Sequence, residues 1–126
     1  MKIGIIGGKG VIGSFLANFF RKKGEQVFVS DLDTKLSNRE LIEQVDVVAF
    51  SVPLHLTESI IKDSIRFTRK EQLLLDFSSL KVSSIKAMMK SKANVIGLHP
   101  MFRPSKNGVK NQTEPLQKYS FNPWSQ

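Results

Sequence analysis

Cysteine is absent from the 126 residues. That excludes a disulfide framework, a thiolate zinc site and a thiol nucleophile. Long apolar runs are missing too, and none approaches the roughly 20 residues that cross a bilayer. The apolar start after Lys2 does not read as a secretion signal. Gly7, Gly8, Lys9 and Gly10 interrupt it, and Arg21-Lys22-Lys23 stands where a small-residue cleavage site belongs. These absences predict a cytoplasmic protein with no membrane partner. Internal repeats and low-complexity tracts are lacking as well.

Positive charge is in excess. Nineteen Lys and Arg against 11 Asp and Glu give a formal charge of +8, which suits an anionic partner. Aromatic side chains are not interleaved with these cations, as stacking on nucleic-acid bases requires. The clusters Arg21–Lys23 and Arg69-Lys70 fall at the ends of expected helices, where cations oppose the negative pole of the helix dipole. A solvated basic surface with no nucleic acid is therefore the expectation. The length and the 40% apolar content suit a single domain with an ordinary core.

What is present is a repeated strand-then-helix alternation. Lys2–Ile6 is apolar, β-branched and ends at glycines. Val11–Lys23 carries Ile12, Phe15, Leu16, Phe19 and Phe20 at helical spacing, and Gly24 ends it. Gln26–Ser30 reads as a second strand ending at Asp31, and Ser37–Gln44 as a short helix capped by Ser37. Val45–Val52 is apolar on both faces, as a central parallel strand should be, and Pro53 ends it. Leu56, Ile60, Ile61 and Ile65 mark a helix to about Phe67. Gln72–Phe77, Ser83–Lys90 and Asn94–Leu98 complete the series as strand, helix and strand. The pattern predicts an α/β fold, a Rossmann-type, doubly wound and mostly parallel sheet. Its ligand crevice would lie beyond the carboxyl ends of the strands. Residues 1–103 form the expected domain. Residues 104–126 are rich in Lys, Asn, Gln, Ser and Pro without helical or strand period, and are expected to be a poorly ordered tail.

The strongest chemical signal is Gly8-Lys9-Gly10-Val11-Ile12-Gly13. A lone G-x-G-x-x-G is weak. Here a strand precedes it, an amphipathic helix follows it, and an acid, Asp31, ends the next strand. Gly8 would permit the tight turn, Gly10 the approach of a pyrophosphate, and Gly13 close helix–strand packing. The helix start then offers N–H groups to the phosphates. The bland alternative is a crowded turn with no ligand. Asp31 would accept hydrogen bonds from ribose hydroxyls and repel a 2′-phosphate, favouring NAD over NADP. Lys35 and Arg39 lie near enough in sequence to soften that preference. Ser51, Val52 and Pro53 would line the sugar and nicotinamide side. His99 and Ser79 follow later strands at the same rim, and a histidine of near-neutral pKa can accept a proton as hydride leaves. Taken alone, His99 reads more often as a structural loop residue, and its convergence with Ser79 on one rim is what favours the catalytic reading.

Four blocks carry a family likeness: Ile5-Ile6-Gly7-Gly8-Lys9-Gly10, the run from Ser51 to Glu58, Asp76-Phe77-Ser78-Ser79-Leu80-Lys81, and the run from Gly97 to Phe102. In this order they resemble the prephenate dehydrogenases, above all the dehydrogenase half of the bifunctional chorismate mutase–prephenate dehydrogenases of tyrosine biosynthesis. The resemblance implies NAD-dependent oxidative decarboxylation of prephenate to 4-hydroxyphenylpyruvate. It places the catalytic histidine at His99, the serine that orients the substrate hydroxyl at Ser79, and a lysine without assigned role at Lys81. Two departures stand out. Arg103 replaces the glycine that usually follows the Met-Phe pair. Nothing after Pro104 matches the helical dimerisation domain that supplies a substrate-binding arginine. The expectation is a truncated dehydrogenase of weak or absent turnover, with self-association through exposed apolar surface. The alternative is a non-catalytic NAD-binding remnant or regulatory module; the Ser79/Lys81 and His99-Pro100 blocks argue against another β-hydroxyacid or imine oxidoreductase sharing the same first half.

Overall fold

The computed structural model describes residues 1–77, 81–100 and 116–121; for residues 81, 99–100 and 116–121 it describes the backbone alone. The chain runs β1 (Lys2–Ile6), α1 (Val11–Lys22), β2 (Gln26–Ser30), α2 (Asn38–Gln44), β3 (Val47–Phe50), α3 (Leu54–Ser64) with a 3₁₀ turn at Ile65–Phe67, β4 (Leu73–Asp76), α4 (Lys81–Met88), β5 (Asn94–Pro100) and β6 (Leu116–Phe121). The strands form one sheet in the order β2-β1-β3-β4-β5-β6. β1 to β5 are parallel, and β6 joins β5 antiparallel.

Alternate residues of the central strands point to opposite layers, and both layers are apolar. Ile3, Ile5, Val47 and Ala49 pack with Leu16 and Ala17 of α1. Ile6, Val48, Phe50 and Leu74 pack with Leu41 and Ile42 of α2, Ile61 of α3 and Ile85 and Met88 of α4. Each such side chain, once removed from water, contributes roughly 1.5–3 kcal/mol. This burial accounts for α2, which has only 7 residues and is far below the roughly 12–15 that an isolated helix needs. Its start is fixed locally. Ser37 Oγ accepts from the Glu40 N–H at 3.1 Å, and the Glu40 carboxylate accepts from the Ser37 N–H at 3.3 Å. This is the reciprocal cap of a Ser-x-x-Glu start. Helices on both faces of a parallel sheet make this the doubly wound α/β fold of Rossmann type.

Within the segment read as an irregular tail, Leu116–Phe121 forms β6. It pairs along β5 from Val95↔Phe121 to Pro100↔Leu116. Without it, the outer edge of β5 would present unpaired N–H and C=O groups. A ladder on such an edge is closed by backbone atoms, so the segment needs no side-chain period to join it.

The amino end of the sheet is sealed by side chains. Buried Gln72 donates from Nε2 to the carbonyls of Ile42 at 2.7 Å and Val45 at 2.9 Å, and its Oε1 accepts from the Arg69 N–H at 2.7 Å. The Arg69 guanidinium adds bonds to the Glu43 and Val45 carbonyls at 3.2 and 3.1 Å. The last carbonyls of α2 are thereby satisfied by an amide and a cation.

Candidate functional site

The strand register fixes where the carboxyl rim lies. Ser30, Ile6, Phe50, Asp76 and Gly97 sit side by side across the five parallel strands. The residues that follow them form the rim. Between β1 and β3 the strand order reverses direction, and such a switch point leaves a crevice. The crevice measures about 540 Å³ and draws its lining from the turns after β1, β2 and β3, including Lys9, Gly10, Asp31, Asp33 and Ser51–Pro53. Leu56 and Ile60 give it an apolar wall.

The turn after β1 is built by missing side chains. The left-handed residue is Gly7, with φ +86°, and a Cβ there would lie 2.2 Å from the Ser51 carbonyl oxygen. The tight-turn role expected of Gly8 therefore falls on its neighbour. Gly8 packs on the Val29 side chain instead. Gly13 lies against the backbone of this turn, where a Cβ would meet the Gly7 oxygen at 2.3 Å and the Gly8 Cα at 2.7 Å. A Cβ on Gly10 would meet only the Gly7 oxygen, at an ordinary 3.6 Å. Gly10 is thus open toward the crevice. It is also the N-cap of α1, which has no side-chain cap bond and no acid in its first turn. The helix start keeps its positive pole and its N–H donors for something else. Val11 is exposed in that first turn, while the Ile12 side chain packs on the α1 layer of the core.

Polar bonds hold this turn against the end of β2. The Ser30 carbonyl accepts from the N–H groups of Gly7 at 2.8 Å and Gly8 at 3.4 Å. Asp31 accepts on one oxygen from the Lys9 N–H at 3.0 Å and on the other from the Leu32 N–H at 2.8 Å. The Thr34 hydroxyl accepts from the Asp31 N–H at 2.8 Å. The Lys9 ammonium reaches Asp33 at 2.6 Å. Through this hydrogen bond and the opposite charge, the Asp33 carboxyl is held below its ordinary value and the Lys9 ammonium above its own. Arg39, which the sequence placed near Asp31, is engaged elsewhere. It bonds Glu43 at 2.8 Å and lies over the Phe67 ring, 5.0 Å from its centroid.

The second half of the rim follows β4 and β5. Asp76 is fully buried and accepts from Ser84 Oγ of α4, so it ties β4 to that helix. Ser79 lies outside the described residues. His99 stands in β5 opposite Gln117 of β6, two residues past the rim position of Gly97. Four strand spacings separate β2 from β5, about 19 Å at the usual interval. The two halves of the rim are therefore spanned by an extended molecule and not by a compact one. The sequence reading gave Thr34, Gly7 and Asp33 no role in the site. An Asp-x-x-Thr turn and the glycine immediately before the motif were their available signals.

Sheet, switch-point crevice and glycine cradle together define a Rossmann domain of the nucleotide-binding class. The family described as prephenate dehydrogenase, nucleotide-binding domain, matches residues 7–121, β6 included, and the chain belongs to it. A probable arogenate/prephenate dehydrogenase of Methanocaldococcus jannaschii is 31% identical over 98% of this chain and 32% of its own length. A T-protein of Haemophilus influenzae is 32% identical over 80% of this chain and 27% of its own length. The arogenate dehydrogenase of Synechocystis shares the fold, with a TM-score of 0.67 at 21% identity, covering 79% of this chain and 41% of that one. The chain thus spans about a third of the curated relatives it matches.

Proposed function

We propose that this chain is the coenzyme-binding part of a cytoplasmic, NAD-dependent prephenate dehydrogenase. The observation that carries the reading is the cradle: a crevice at the switch point, Gly10 open toward it, and an uncapped helix start behind it. The Gly8–Gly13 turn, with the N–H groups at Val11 and Ile12, would hold the diphosphate. Asp31 would accept from the ribose hydroxyls, and Ser51, Val52 and Pro53 would flank the sugar and ring beyond. When bound, NAD supplies the acceptor for the hydride. His99 takes the proton from the substrate's ring hydroxyl, and Ser79 orients that hydroxyl and the imidazole. Loss of carbon dioxide then leaves 4-hydroxyphenylpyruvate.

Exposed apolar side chains support a cover over this rim. Val11, Leu54 and Val82, in the first turns of α1, α3 and α4, are 72%, 44% and 72% exposed. We place self-association of the chain on this surface. Sedimentation against concentration checks it, with Val11→Ser and Val82→Ser expected to favour the monomer.

Calorimetric titration with NAD⁺ and NADP⁺, followed by NADH formation from prephenate for wild type, Ser79→Ala and His99→Asn, tests the function. Binding of NAD⁺ with weak or absent turnover is the expected result, and whatever turnover remains should depend on His99. Binding without turnover leaves a coenzyme module that does no chemistry by itself. Failure to bind either nucleotide overturns the proposal.

A further inference from the structure

The glycine turn carries a cation at a position where the turn itself requires none. Lys9 lies between Gly8 and Gly10, and its backbone N–H is bonded to Asp31, the acid proposed to meet the ribose. Its ammonium therefore starts beside the ribose end of the crevice. From there it extends to Asp33, and both side chains line the same crevice. Arg39 is committed to Glu43 and Phe67. Lys9 is a cation whose backbone the structure ties to Asp31.

We infer that Asp33 sets the choice between NAD and NADP by holding the Lys9 ammonium away from the place a ribose 2′-phosphate would occupy. This rests on the nucleotide reading of the crevice and extends it to a residue that touches neither the ribose nor the diphosphate. Asp33 is thus a positioning residue, and Lys9 is the group it positions. With the pair formed, a 2′-phosphate meets the negative charge of Asp31 with the ammonium drawn off toward Asp33, and is repelled. With Asp33 neutral, the ammonium turns back over Asp31 and offers the phosphate a charge-assisted hydrogen bond. The raised pKa of Lys9 agrees with a cation fully charged at neutral pH. The pair is exposed, so it adds little to folding. It is nonetheless two residues from the acid that decides coenzyme contact, where one unit of charge matters for an anion.

The test is a binding cycle on the whole chain. NAD⁺ and NADP⁺ are titrated calorimetrically into wild type, Asp33→Asn, Asp33→Ser, Asp33→Glu, Lys9→Met and the double variant Lys9→Met/Asp33→Asn, each checked for folding by circular dichroism. The readout is the ratio of the NADP⁺ to the NAD⁺ dissociation constant. Asp33→Asn and Asp33→Ser should lower it by about tenfold, the order of one added charge-assisted bond, and Asp33→Glu should restore the wild-type ratio. In the Lys9→Met background the same Asp33→Asn change should move it by about twofold at most, from loss of exposed like-charge repulsion alone. An unchanged ratio in Asp33→Asn overturns the inference. So does an equal gain with and without Lys9, which would assign the effect to the charge of Asp33 itself. Wild type binding neither nucleotide overturns the function proposal, and that arm is read before any variant.

Discussion

The end of α2 and the start of α1 are treated in opposite ways. At the amino end, the last carbonyls of α2 are satisfied by Gln72 and Arg69. At the carboxyl end, the start of α1 has neither a side-chain cap nor an acid beside it. Burying an unsatisfied carbonyl costs roughly 1–3 kcal/mol, so the amino end spends two long side chains to avoid it. A glycine N-cap such as Gly10 forgoes only about a few tenths of a kcal/mol relative to Ser or Asp, and α1 leaves that stabilisation unused at the glycine turn. A sealed end serves the fold. An open end keeps donors available for an anion.

This contrast breaks most sharply at Gln72. Gln72→Leu leaves the Ile42 carbonyl and the Arg69 N–H without their buried partner. A loss of about 3 kcal/mol is expected, which for a domain of this size lowers Tm by about 10 °C or more. NAD⁺ affinity, measured well below the new Tm, should stay within about twofold, since the amino end is remote from the rim. A large loss of affinity in this variant would show that the two ends are not independent.

Gly13→Ala comes next and tests the cradle from behind. In an exposed helix this change stabilises by about 1 kcal/mol. Here the added Cβ meets backbone at 2.3 and 2.7 Å, and backbone cannot rotate aside. Overpacking of this kind costs about 1–3 kcal/mol, so the sign reverses. Chemical denaturation should show net destabilisation, and calorimetry should show loss of NAD⁺ binding. Gly10→Ala separates these two effects. Its Cβ has ordinary room in the protein, and Ala as an N-cap costs no more than about 1 kcal/mol. Its Tm should change by a few degrees at most, while NAD⁺ affinity falls by about tenfold or more, because the methyl group stands where the diphosphate would approach. Retained affinity in Gly10→Ala would remove the cradle from the argument.

The same contrast explains what could be read from the amino-acid order. Alternating apolar periods located five strands and four helices to within a few residues, because both core layers depend on that alternation. The Ser37 cap was legible because its two partners lie three residues apart. The glycine turn was legible as a motif, yet the residue with positive φ is Gly7 rather than Gly8, a difference set by the Ser51 carbonyl across the sheet. Gln72 looked like an ordinary strand start, since its partners are 27 and 30 residues distant. β6 was hidden because Leu116–Phe121 has no strict alternation and is held by backbone pairing to β5. Contacts between neighbours in sequence were visible, whereas those created by the closing of the sheet were not.

The smallest effect sits at the open end, in the Lys9–Asp33 pair. The folded-state pKa of Asp33 is lowered from 3.8 by the hydrogen bond and charge of Lys9. Its contribution to stability is therefore present above the unfolded-state value and is lost as pH falls through the lowered one. Lys9 is raised from 10.5 by the same partner, so its contribution is complete below that value and fades as pH climbs through the raised one. Between these limits the contribution is flat. Both groups are open to solvent, and screening keeps the effect small. Melting of wild type and Asp33→Asn should differ by about 2 °C or less at neutral pH and low salt. The difference should close in acid and shrink in concentrated salt. A difference that persists in acid would mean that Asp33 supports the turn by something other than its charge. The open end would then be held by packing, as the sealed end is held by hydrogen bonds.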